Sequence, residues 1–175
     1  MAGRRRDRGD ESTGQGRRPA VIHGWTVIAH PLFLDQLERL IDAVEAERAS
    51  GKTNTANQKV LAGIARYAFD EIPRDPNASR FRLGGTLGPR YGHWRRAKFG
   101  RGRFRLFYRF RTDARIIVLA WVNDRETLRT RGARDDAYAV FARMLGRGNP
   151  PDHWEELVGS SRTLSARRRL RRALA

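Results

Sequence analysis

The sequence predicts an α+β fold, a small antiparallel sheet with helices packed on one face. A short strand comes first, then two segments with apolar residues at helical spacing, a run of short alternating strands, and one more amphipathic segment. The last strand segment, residues 116–122, is apolar on both faces and belongs in the sheet's centre.

Residues 25–29 (WTVIA) form a short first strand. Pro31 suits the first turn of a helix. In that helix Phe33, Leu37, Leu40, Ile41 and Val44 make the apolar stripe, while Asp35, Glu38, Asp42 and Glu45 lie on its other face. Gly51 ends it. Thr53 or Thr55 can cap a second helix, whose stripe is Leu61, Ile64, Ala65, Ala68, Phe69 and Ile72, stopped by Pro73 and Pro76. Residues 74–92 are a loop with a brief extended piece at 81–83. Strands at 94–99 and 103–110 are joined by Gly100-Arg101-Gly102. A turn at 112–114 leads into strand 116–122. A helix over residues 135–145 closes the core with Val140, Phe141, Met144 and Leu145, and a last turn covers 152–158.

The ends differ in composition. Residues 1–19 hold six arginines, three acids and no large apolar residue after Met1. Such a segment cannot offset its ordering entropy by burial, so it reads as a disordered basic tail. Residues 159–175, with six arginines and no acid, read as a second mobile tail. The domain is then residues 20–158. Of the net charge of +17, the tails carry +3 and +6 and the domain keeps +8. That favours a polyanionic partner, nucleic acid before membrane. Cysteine is absent, which excludes disulfides and thiolate metal sites and fits the cytosol. No apolar run is long enough to span a membrane, and no apolar segment follows the N-terminal arginines to make a signal peptide.

Strand side chains alternate between faces. Phe104, Leu106, Tyr108 and Phe110 point one way; Arg103, Arg105, Phe107 and Arg109 point the other. Trp94, Arg96 and Lys98 share a face, with Ala97 and Phe99 opposite. Packing the apolar sides against the helices gathers Arg96, Lys98, Arg103, Arg105 and Arg109 on an open face, with Trp94 and Phe107 among them. Cations grip phosphates and aromatic rings accept bases, so this is an RNA surface in outline. The bland reading is a solvated basic face. The histidines, His23, His30, His93 and His153, show no metal-ligand spacing, so neither a metal nor a cofactor is expected. The stretch Gly84-Gly85-Thr86-Leu87-Gly88 lacks the lysine of a phosphate-binding loop and reads as a flexible loop beside the face.

Several separated motifs then carry a family likeness. HGWTVIAHPLF (23–33), WRRAKFGRGRFRLFYRF (94–110), LAWVNDRETLRT (119–130), DAYAVFARML (136–145) and NPPDHWEEL (149–157) occur in an order that resembles the YhaV toxins, over roughly residues 23–158. That family belongs to the RelE-like superfamily. The resemblance implies a RelE-like fold and the toxin of a type II toxin–antitoxin system, an endoribonuclease cleaving RNA, often mRNA in translation. It implies a PrlF-type antitoxin, and promoter DNA bound through the pair. By motif it carries over Arg96, Lys98 and Arg105 on the strands, Arg129 (with Arg125 as the other choice) after the third strand, and Tyr138 near the last helix. The implied chemistry uses no metal: a 2′-hydroxyl attacks the neighbouring phosphate. Arginines can stabilise the charge that builds there but stay protonated, which leaves Lys98 or Tyr138 as the base. The rival class is a non-catalytic RNA- or ribosome-binding protein. Arg129 and Tyr138 beside Arg96 would separate the two, since a pure binder has no need of both.

Overall fold

A computed structural model describes residues 19–125, 127 and 136–175. The expected N-terminal tail lies, but for Pro19, outside the described residues. The sheet has five strands in the order β1-β2-β5-β4-β3: β1 (Ala20–Ile22), β2 (Trp25–Ala29), β3 (Arg95–Phe99), β4 (Phe104–Arg111) and β5 (Ile116–Val122). β5 is central and buried along its whole length, as its two apolar faces require. The α+β class holds, with one refinement. Neighbours are antiparallel except β2 and β5, which run parallel and make the sheet mixed.

α1 (Pro31–Ala49) starts at His30, whose Nδ1 accepts the Leu32 N–H at 3.2 Å. α2 (Ala56–Arg66) starts at Thr55, whose hydroxyl accepts the Gln58 N–H at 3.1 Å. α2 runs on through a π-turn (Tyr67–Glu71) into α3 (Ile72–Arg74). Pro73 has no N–H for the helical ladder, and a widened turn just before it accommodates that loss. Gly63 of α2 rests on the Phe99 ring, where an added Cβ would come within 2.6 Å, so only glycine allows this approach. α1 and α2 cover Val27, Ala97, Leu106, Tyr108, Ile117 and Leu119 on one side of the sheet.

The other side is not open. α4 (Ala137–Gly146) and α5 (Trp154–Ser161) lie over it and enclose a second core of Ile28, Trp94, Phe107, Val118, Trp121, Phe141 and Leu157. Helices therefore pack on both faces. The second core is aromatic. Phe141 stacks on Phe107 with centroids 4.1 Å apart, and Trp94 meets it edge-on at 5.0 Å.

The C-terminal residues are also not a mobile tail. α6 (Leu164–Leu174) is capped by Thr163 and buries Ala166 and Leu170 in the first core. Ala166, Leu170 and Ala173 recur at helical spacing, enough of a stripe to dock a helix whose other positions are mostly arginine. Arg169 locks it to α1, donating to Asp35 at 2.5 Å and to both oxygens of Glu38 at 2.8 and 2.9 Å. The acids placed on the solvent side of α1 are thus partly used inside the fold.

Candidate active site

The β3–β4 hairpin turns through Gly100, Arg101 and Gly102, all at positive φ. This sets Arg96 opposite Phe107 and Lys98 opposite Arg105. Arg96 and Arg105 lie on the α4 side, as alternation requires, at the edge of the aromatic core. Both are buried, 8% and 5% exposed. Tyr138, in the first turn of α4, reaches between them. Its phenolic oxygen accepts Nε–H of Arg96 at 2.9 Å and Nε–H of Arg105 at 3.0 Å. Asp136 fixes this turn by accepting the Tyr138 N–H at 2.8 Å, and Phe107 meets the Tyr138 ring edge-on.

Backbone carbonyls hold the rest of each guanidinium. Nη1 of Arg96 donates to the carbonyls of Arg80 (3.1 Å) and Arg82 (2.6 Å). Nη1 of Arg105 donates to those of Gly102 and Phe104. Neither arginine meets a carboxylate, and no hydrogen bond engages either Nη2, among the described residues. Among the described residues the pair is oriented and has no carboxylate partner, an arrangement that suits an anion. Burial pushes the Tyr138 phenol up, but the two arginines bonded to it outweigh burial and hold it below the usual phenol value.

The other candidates divide. Lys98 is exposed on the same face, and Arg103 is exposed at the start of the hairpin strand, so both rim the cluster. Trp94 and Phe107 are 0% exposed and sit inside the aromatic stack. They offer no ring to a base: large aromatic side chains bury when a helix is there to cover them. Arg109 lies away from the cluster, between Trp94 (5.6 Å) and Trp154 (5.4 Å), and donates to the Asp152 carbonyl at 2.5 Å. Burial lowers its pKa against the pull of Asp152 and Glu155. Its partners make it part of the α5 packing. Arg125 borders a groove of about 300 Å³ between α1 and α2, on the other side of the sheet. Arg129 lies outside the described residues. Among the described residues no three of His, Asp and Glu could hold a metal ion. His93 instead pairs with Asp152 at 2.6 Å, beside Trp94 and away from Tyr138.

Sequence reasoning missed Asn123. It is 2% exposed, and its Oδ1 accepts the Arg105 N–H at 2.5 Å. A polar residue closing an apolar strand was the available signal.

The chain is similar to known proteins. Residues 27–162 match the family model of the YhaV toxins, described as a toxin with endonuclease activity, of a toxin–antitoxin system. The toxin YhaV of Escherichia coli O6:H1 is 41% identical over 144 residues, covering 80% of this chain and 94% of its own length. The ribonuclease toxin YhaV of Escherichia coli K12 is 40% identical over the same shares. Among solved structures, the toxin–antitoxin complex RelBE2 of Mycobacterium tuberculosis aligns with a TM-score of 0.40 and 18% identity, over 62% of this chain and 98% of that one.

Proposed function

Because the chain belongs to the YhaV family of toxins with endonuclease activity, we propose that it cleaves RNA at the Arg96–Tyr138–Arg105 cluster without a metal ion. The observation that carries this reading is the shared phenolic oxygen: one titratable group held between two buried guanidiniums that no carboxylate among the described residues neutralises. A scissile phosphate bound by the two arginines gains charge as it becomes pentacoordinate, and fixed cationic donors stabilise that gain.

The proton steps follow from placement. Tyr138, held below its ordinary range, acts in its phenolate form: it accepts the proton of the 2′-hydroxyl as O2′ bonds to phosphorus and becomes a neutral phenol. The P–O5′ bond breaks, and Lys98 on the exposed side of the pair gives its proton to the departing O5′. The products are a 2′,3′-cyclic phosphate and a 5′-hydroxyl. Arg103 adds a phosphate contact at the rim of this centre; Arg129 stays a candidate through the family likeness and lies outside the described residues.

The partner is an antitoxin, and the finer proposal is a PrlF-type protein that carries the pair to promoter DNA. The proposed setting is the cytoplasm; among the described residues no helix is long and apolar enough to cross a membrane.

The test is cleavage of RNA in EDTA, with ribosome integrity controlled where ribosomes are added. Activity should persist, and new 5′ ends should accept phosphate from a kinase without prior dephosphorylation. Ends bearing 5′-phosphate would sink the proposed chemistry.

A further inference from the structure

The pairing of β4 with β5 slips by one residue: Phe107 faces Trp121, but Tyr108 faces Leu119, so Ala120 is extra. This β-bulge changes the parity of the strand. Before it, Ile117 and Leu119 face the α1 side and Val118 faces the α4 side. After it, Trp121 joins the α4 side and Val122 the α1 side. Strict alternation would aim Asn123 at α1 and α2. With the bulge it still borders the groove beside α1 and α2, but its carboxamide bonds to the hairpin that carries Arg105.

There its carboxamide uses both ends. Oδ1 accepts the Arg105 N–H, while Nδ2 donates to the carbonyls of Arg103 (3.2 Å) and Thr127 (2.8 Å). Asp124 and Thr127 close the next turn on each other, the Asp124 N–H to the Thr127 hydroxyl and the Thr127 N–H to Asp124 Oδ1. One buried side chain thus ties the strand that bears Arg105 to the segment that leads towards Tyr138.

We infer that Asn123 is a positioning residue for the cleavage reaction, setting the separation of Arg105 from Tyr138 through the bulge-directed carboxamide. It touches no substrate. It acts by fixing the Arg105 backbone, and with it the guanidinium that shares the Tyr138 oxygen. The inference rests on the proposed site, so the experiment carries an arm that tests the site separately.

Single-turnover cleavage of a labelled mixed-sequence single-stranded RNA, with ribosomes if the wild type needs them, is compared for wild type, Asn123→Ala, Asn123→Asp, Arg105→Ala and Ser161→Ala. Asn123→Asp keeps the acceptor and loses both donors. Ser161→Ala is the structural control: it removes a buried hydrogen bond, Oγ to the Leu157 carbonyl at 2.7 Å, in α5. Displacement of a reacting group by about 1 Å can cost about 100-fold. Both Asn123 variants should therefore lose about 10- to 100-fold in rate at saturating RNA while apparent RNA affinity holds. The alkaline-side rise of their pH–rate profiles should move to higher pH as Arg105 loosens from the phenol. Ser161→Ala should keep the native rate and profile. Asn123 variants with native rate and profile, beside a crippled Arg105→Ala, would overturn the inference, as would an equal loss in Ser161→Ala. Native cleavage by Arg105→Ala would instead overturn the site itself. Should Asn123→Ala fail to fold, Asn123→Asp decides.

Discussion

Both faces of the sheet are covered by helices, yet they treat arginine in opposite ways. On the α1–α6 side, Arg169 meets two carboxylates, and its charge is spent on holding one helix to another. On the α4 side, Arg96 and Arg105 are more deeply buried and, among the described residues, meet only uncharged groups. A buried charge without a counter-charge is costly, and no described carboxylate relieves it. The arginine that joins two helices is neutralised; those proposed to receive a phosphate are oriented by neutral oxygens. The aromatic stack beneath Tyr138 supplies the packing that makes the costly arrangement possible.

The largest expected effect comes from removing that packing. Phe141→Ala should destabilise the protein by about 3–5 kcal/mol, the cost of emptying a buried aromatic site, read as a lowered denaturation midpoint. An unchanged midpoint would mean that α4 does not support the charged side as described. Next is Arg96→Ala. Loss of one oriented donor should lower the cleavage rate by about 10²–10³ and abolish growth arrest, with most RNA affinity kept. Arg101→Ala, at the exposed hairpin tip, removes the same charge and should weaken binding only mildly. Equal losses of rate and affinity in the two variants would reduce the arginine pair to an electrostatic landing surface.

A smaller effect belongs to His30, 3% exposed at the start of α1. Burial lowers its pKa from 6.5 to about 4, against a weaker pull from Asp35. The folded state then binds this proton less readily than the unfolded chain. The stability due to neutral His30 is full above pH 6.5 and drains as pH falls toward 4, by about 2–3 kcal/mol. His30→Asn keeps a capping acceptor without the titration, so its stability should be flatter across that window; an equally steep profile would assign the loss to other groups. The smallest effect is expected at Arg169, whose ion pairs are partly exposed. Arg169→Ala should cost about 1 kcal/mol or less and leave cleavage at the native rate. A loss of activity there would break the division between the two kinds of arginine.

Much of this division was legible in the sequence. Alternation placed Arg96, Lys98, Arg103 and Arg105 on one side, and the apolar run 116–122 placed β5 at the centre. Tyr138 came from the family likeness alone, because nothing local marks a phenol that will meet arginines 33 and 42 residues away. Trp94 and Phe107 were misread as base platforms because alternation assigns a face but does not say what covers it. α6 was misread because composition was weighed over spacing: six arginines hid the Ala166–Leu170–Ala173 stripe. Asn123 is marked in the sequence only as a polar residue closing an apolar strand; its partners are not legible there, since one extra residue in a strand reverses the alternation after it.

The sharing of one phenolic oxygen from α4 by two adjacent strands made earlier has a consequence for synthesis. A chain is made from its N-terminus, so Arg96 and Arg105 leave the ribosome well before Tyr138. Until the first turn of α4 has emerged and docked, the two guanidiniums have no common oxygen between them, and prematurely terminated products lacking residue 138 should be harmless. An antitoxin already present can then meet each copy as its site is completed.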